Sequence, residues 1–301
     1  KCFIKKKSFP HVLFFGPPGT GKTSTIRCCI KEIYGQYSRY MTLILNASTE
    51  RGIETIRGTV KTFITSQTGI FLPPEMRNIH KMVVLDEIDS MTVEAQGMLR
   101  QIIEKMSATT RFCLICNDID KINIALQSRC SMFRFPPLSV DEMSNRISEI
   151  CESEDIRRDK KMVRAVVKVS NGDMRSAVNI LQQAKMAYGT SIKEENIYRI
   201  TSHSSPQVNE TIFKALSKLY RKHSLLRSTI DKIDEIVVSE NITMLNLMEE
   251  LKNLIIGSTF ETHQKIFLID YLATYEHADS VTVNVRVIVT GICGLFVAIP
   301  N

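Results

Sequence analysis

Gly16-Pro-Pro-Gly-Thr-Gly-Lys22-Thr23 fits the spacing G-x-x-x-x-G-K-[ST], a run whose chemistry is phosphate binding. The glycines let successive backbone N–H groups turn inward around phosphate oxygens. A helix beginning at Lys22 adds the positive end of its dipole at the same place. Lys22 would reach the β- and γ-phosphates of ATP, and Thr23 would hold Mg²⁺. Gly16, Pro17, Pro18, Gly19, Thr20, Gly21, Lys22, Thr23 and Ser24 are therefore the expected ATP-binding loop. A chance glycine-rich turn has no reason to fill every fixed position between a strand pattern and a helix pattern.

A second constellation, Leu85-Asp86-Glu87-Ile88-Asp89, follows an apolar run. An acidic residue leaving the C-terminal end of a strand beside a phosphate loop is where Mg²⁺ needs a partner. Asp86 is expected on the metal together with Thr23, and Glu87 is expected to orient and deprotonate the attacking water. Adjacent carboxylates favour water over the bound acceptor of a small-molecule kinase, although this strand end alone leaves both classes open.

These residues need a parallel sheet behind them. Apolar runs at His11–Phe15, Met41–Leu45, Lys81–Leu85, Phe112–Cys116 and Met132–Phe135 read as strands. They alternate with helical patterns at Lys22–Tyr34, Ile53–Ser66 and Thr92–Met106, the mark of an α/β domain. Gly69–His80, with Pro73-Pro74, reads as a loop. Pro136-Pro137 ends the alternation, because proline cannot continue a central strand. Helical patterns follow at Val140–Cys151, Lys160–Ser170 and Asp173–Ala187. A polar stretch, Thr201–Pro206, reads as a linker, and the remainder is helical again. Val281–Val289 is the exception in propensity: its β-branched residues alone would favour a strand.

The 301 residues are 44 % apolar and 24 % charged, ordinary for a globular protein, and wholesale disorder is excluded. A net charge of +7 and a pI near 8.9 suit a polyanion partner without specifying one. The eight cysteines show no disulfide framework, so a reducing compartment is expected. Cys113 and Cys116 form a C-x-x-C, but on a strand positions i and i+3 face opposite ways and cannot share a metal. No signal peptide is expected. Val287–Ile299, the longest apolar stretch, is shorter than the ~20 residues a membrane span needs and reads as a core element, so no membrane partner is expected.

Leu45-Asn-Ala-Ser-Thr-Glu-Arg-Gly-Ile53, Leu85–Thr92, Thr110-Arg-Phe-Cys-Leu-Ile-Cys-Asn117, Leu126-Gln-Ser-Arg-Cys130 and Asn171-Gly-Asp-Met-Arg-Ser-Ala-Val-Asn-Ile-Leu181 occur in one characteristic order. Over about Phe9–Ile200 this order resembles the small subunits of replication factor C, the sliding-clamp loader, which are AAA+ ATPases. The resemblance is looser in the last third of the chain. It implies a RecA-like P-loop ATPase domain over 1–136, a helical lid over 137–200 and an all-α collar over 201–301 that joins subunits. It also implies a nuclear heteropentamer, made with a large subunit and three other small subunits. That assembly opens the clamp, proliferating cell nuclear antigen, and loads it onto primer–template DNA, with ATP hydrolysis driving release. A non-hydrolysing scaffold subunit and another AAA+ replication-initiation ATPase are the alternatives. Glu87 and Asn117 weigh against the first, and the absence of a winged-helix pattern after the lid weighs against the second.

Residue by residue, the resemblance makes Asn117 the sensor at the end of the fourth strand and Arg175 the lid arginine that reaches the same ATP. Arg129 becomes the arginine finger acting in trans on the ATP of an adjacent subunit. Arg57 and Arg100 fall where family members carry basic residues that follow template phosphates. Gln101 stands where a second arginine is common, and Ile88 where alanine is usual. Ser48-Thr49-Glu50 stands where Ser-Asp-Asp or Ser-Asp-Glu is usual. Lys5-Lys-Lys7 reads as a solvated run. The family segment that helps hold adenine lies ahead of the matched region, which leaves the base contacts open.

Overall fold

The computed structural model describes residues 9–49, 53–66, 73, 76, 79–157, 159–279 and 284–300. Lys5-Lys-Lys7, most of the expected Gly69–His80 loop, Glu50 and the Arg57 side chain lie outside the described set. The chain divides into two compact units, one of Lys1–Met143 with Asn171–Ser176 and one of Ser144–Ser170 with Ala177–Asn301.

In the first unit β1 (Val12–Phe15), β2 (Thr42–Asn46), β3 (Lys81–Asp86), β4 (Thr110–Cys116) and β5 (Ser131–Arg134) form one parallel sheet. The strand order is β2-β3-β4-β1-β5, so β1 runs between β4 and β5. Residues alternate strictly between the two faces, as the period of a strand requires. Val12, Phe14, Met82, Val84, Cys113 and Ile115 pack with Ile26, Ile30 and Ile33 of α1 (Lys22–Tyr34). Leu13, Val83, Leu85, Phe112, Leu114 and Cys116 pack on the other face. They meet Val60 of α3 (Ile53–Thr65) and Leu99 and Ile103 of α4 (Val93–Met106). Helices on both faces explain why β1, β3 and β4 are near-continuous apolar runs. Cys113 and Cys116 lie in different layers, both free thiols, and burial pushes Cys113 far up and Cys116 up to about 12.

The helix starts follow local chemistry. Thr92 caps α4 by accepting from Ala95 N at 3.3 Å, and Asn123 caps the short α5 (Ile124–Gln127) by accepting from Ala125 N at 2.8 Å. A short α2 (Ser38–Met41), the single turn α5 and a 3₁₀ turn at Ile88–Ser90 carry too little periodicity to be read from sequence.

Beyond β5 every described element is helical: α6 (Val140–Ser153), α7 (Lys160–Ser170), α8 (Met174–Tyr188) and α9 (Glu194–Ile200). Then come α10 (Pro206–Arg221), α11 (Leu226–Ser239), α12 (Met244–Ile256), α13 (Thr262–Asp279) and α14 (Val285–Val297). Ser205 caps α10, and Pro206 takes the first helical position, where its missing N–H costs nothing. The β-branched stretch from Val285 onward is a helix, against its propensity. Ile288, Val289, Ile292, Cys293, Leu295 and Phe296 recur at helical spacing and are buried among α10–α13. Tertiary burial of that face outweighs an intrinsic preference worth a few tenths of a kcal/mol per residue. Among the described residues no helix is long and apolar enough to cross a membrane.

Candidate active site

The strand register assembles the site. Phe15 lies beside Cys116 on β4 and Arg134 on β5, so Gly16 and Asn117 leave the sheet at the same edge. Leu85 lies beside Leu114, which brings Asp86 to that edge as well.

Gly16 takes φ 142°, and an added Cβ would sit 2.0 Å from Phe135 O. Gly19 takes φ 69°, and its Cβ would fall 1.6 Å from Asp173 Oδ1. Both positions therefore need glycine for conformation and for space. Lys22 is buried, with 7 % of its surface exposed, yet its ammonium has three acceptors. Nζ donates to Gly16 O at 2.7 Å, to Pro17 O at 2.8 Å and to Asn117 Oδ1 at 2.9 Å. Burial lowers its pKa, and the Asp86 carboxylate opposes that shift. Thr20 Oγ1 donates to Pro17 O at 2.9 Å, which braces the loop. Pro17, Pro18 and Ser24 are exposed around it.

Thr23 Oγ1 donates to Asp86 Oδ2 at 2.7 Å. A hydroxyl and a carboxylate held together present the oxygen donors that a hard divalent cation prefers. Glu87 follows in a left-handed conformation, φ 57° and ψ 41°, with its N–H on Asp86 Oδ1 at 3.0 Å and its side chain exposed. Ile88 behind it is fully buried, so its side chain fills core.

Asp89 was not singled out by sequence reasoning. Its Oδ2 accepts from Asn117 N at 3.2 Å and Asp118 N at 3.3 Å, fixing the turn that presents Asn117. Asp173 was also missed: Oδ1 accepts from Arg175 N at 2.7 Å and Ser176 N at 3.1 Å, and Met174 N donates to Gly19 O at 3.3 Å. The start of α8 is thus fastened to the phosphate loop. Arg175 is exposed there, close enough that its charge contributes to lowering the Lys22 pKa. The only sequence signal for either aspartate was its place inside a quoted motif.

Arg129 lies just after α5, ahead of β5. Arg100 lies on α4, and both arginines contact Glu104.

A parallel sheet with a glycine-rich phosphate loop, a buried lysine and a Thr–Asp pair at one edge defines a P-loop ATPase. The family model for AAA, the ATPase family associated with various cellular activities, matches residues 12–138. A replication factor C small subunit of Acanthamoeba polyphaga mimivirus is 54 % identical over 302 residues, covering 100 % of this chain and 88 % of that one. Replication factor C subunit 3 of Schizosaccharomyces pombe is 38 % identical, covering 91 % and 77 %. Human replication factor C subunit 5 is 37 % identical, covering 98 % and 83 %. This chain belongs to the replication factor C small-subunit family. A RuvB structure from Thermotoga maritima has a similar fold, with a TM-score of 0.52 at 16 % identity, covering 79 % of this chain and 80 % of that one.

Proposed function

We infer that this chain is an ATPase subunit of a clamp loader, working with other replication factor C subunits to open a ring-shaped sliding clamp and close it on primer–template DNA. The observation that carries the reading is the meeting of Lys22, Asn117, Thr23 and Asp86 at one sheet edge, in a chain with these relatives. Lys22 and the loop N–H groups hold the triphosphate. Thr23 and Asp86 would hold Mg²⁺, which when bound offsets charge on the β- and γ-phosphates. Glu87 takes the proton of a water whose oxygen attacks the γ-phosphorus, and the bond to the bridging oxygen breaks to release ADP. Asn117 and Arg175 orient the γ-phosphate side from β4 and α8. Arg129 acts on nucleotide bound by an adjoining subunit, where a guanidinium stabilises the charge spread over the transferring group.

Three regions serve these tasks: 1–136 for ATP, 137–200 as lid and 201–301 as collar. The partners are a large subunit and three other small ones, the clamp (proliferating cell nuclear antigen in a eukaryotic setting) and primer–template DNA. The nucleus is the corresponding compartment, and fractionation of cells expressing the chain checks it.

Lys22→Ala is the test. Hydrogen bonds to charged groups contribute about 1.5–3 kcal/mol each. Losing the lysine's two phosphate contacts lowers ATP affinity by roughly 10²–10⁴-fold. Equilibrium binding of a fluorescent ATP analogue measures this, and ATP-dependent clamp transfer by the reconstituted complex should fall with it. Unchanged affinity would remove Lys22 from the site, and full loading by the mutant complex would remove this site from the reaction.

A further inference from the structure

Glu104 lies near the end of α4, one turn beyond Arg100 on the same helix face. Its Oε1 forms a direct ion pair with Arg129 Nη2 and stands 3.9 Å from Arg100 Nε. Arg129 Nη1 donates to Ala125 O at 2.7 Å. Arg129 is thus held by acceptors on two elements, a carbonyl of α5 and a carboxylate of α4. Its side chain keeps 37 % of its surface exposed, and a guanidinium carries five donors, so several remain for an outside anion. Arg100 Nε is buried without a hydrogen-bond partner, so the longer charge contact is what links Arg100 to the carboxylate. Two guanidinium groups around one carboxylate leave surplus positive charge.

We propose that Glu104 is a positioning residue for Arg129, and that sharing its carboxylate with Arg100 ties the set of Arg129 to the anion Arg100 holds. The inference rests on the functional reading above, in which Arg129 serves the adjoining subunit's ATP, and on the family resemblance that puts Arg100 where basic residues follow template phosphates. A donor already oriented before charge develops needs no reorganisation during the reaction. Clamped between Glu104 and Ala125, Arg129 meets that condition. A phosphate engaging Arg100 competes for its guanidinium and leaves Arg129 as the single cation on Glu104. DNA thereby tightens the hold on the arginine that acts next door.

Glu104→Gln keeps the shape and an acceptor oxygen but removes the charge. Single-turnover hydrolysis is measured in assembled complexes where only the adjoining subunit's P-loop is intact, with and without primer–template DNA. The expected result is a kcat lower by about 10²-fold, the scale of a slightly misplaced group. KM for ATP, melting temperature and ATP affinity at this chain's own loop should not change. The ratio of DNA-stimulated to basal rate should collapse toward one, and Glu104→Asp should restore part of it. The double variant Glu104→Ala with Arg129→Ala should be no slower than Arg129→Ala alone, because a residue acting only through another is not additive with it. If Arg129→Ala stalls the adjoining site while Glu104→Gln keeps wild-type rates, the positioning role is overturned and the trans reading stands. Should Arg129→Ala itself leave that site untouched, the functional reading fails and takes the positioning role with it. Further slowing in the double variant would also overturn it, by showing that Glu104 acts elsewhere.

Discussion

Glu87 sits in a backbone conformation that few non-glycine residues adopt, and it is exposed directly after the Asp86 that pairs with Thr23. Such a conformation costs of order 1–3 kcal/mol and survives only where its surroundings enforce it. Here the bond from its own N–H to Asp86 and the buried Ile88 do so. Glu87→Gln retains the shape and leaves Asp86 its charge, so nucleotide should still bind. Hydrolysis at this site should fall by roughly 10²–10⁴-fold, the usual contribution of a positioned base. Rapid-quench turnover beside equilibrium binding separates the two, and a collapse of affinity would make Glu87 a metal ligand instead. Lys22, Thr23, Asp86 and Glu87 were legible in the sequence because their chemistry lies in short contiguous runs. Asp89, Glu104 and Asp173 were not, since each is defined by a partner that only folding brings near: the N–H groups after β4, Arg129, and Gly19.

At the scale of elements, the central strands β1, β3 and β4 were readable because a sheet covered on both faces needs unbroken apolar runs. Their order, with β1 between β4 and β5, was not, because pairing partners leave no local signal. The helix at Val285–Val297 shows the opposite limit, where residues that favour strands fold as a helix because one face is buried in a helical core. The contact between the phosphate loop and the start of α8 gives a prediction at this scale. Gly19→Ala forces a Cβ onto Asp173 Oδ1 and an L-residue into φ 69°. The loop must shift or Asp173 must let go of Arg175 N and Ser176 N. A destabilisation of about 1–3 kcal/mol is expected from the backbone alone. ATP binding should weaken together with it. Chemical denaturation with and without ATP reads both, and a wild-type curve would mean that the contact is easily relaxed.

For the whole molecule, the net charge of +7 acquires meaning only through where the arginines lie. Arg100 shows 41 % side-chain exposure on α4, and Arg57 lies in α3. Replacing both with alanine should weaken DNA binding by the assembled complex equally for all sequences. The slope of log K against log salt should flatten by about 0.9 per lost phosphate contact. An unaltered slope would return both to the ordinary charged surface.

The division of the chain into its two units has a consequence for inheritance. The first unit closes only when Asn171–Ser176 returns to it, after Ser144–Ser170 has been spent in the second. A gene hybrid with one breakpoint just past Met143 would therefore join the phosphate loop of one parent to the Asp173 segment of another. That segment touches Gly19 with no room to spare. Hybrids between paralogues are expected to fold and bind nucleotide more readily when two breakpoints carry residues 171–176 along with the loop. Over evolutionary time, substitutions on the two sides of that contact should descend as a pair.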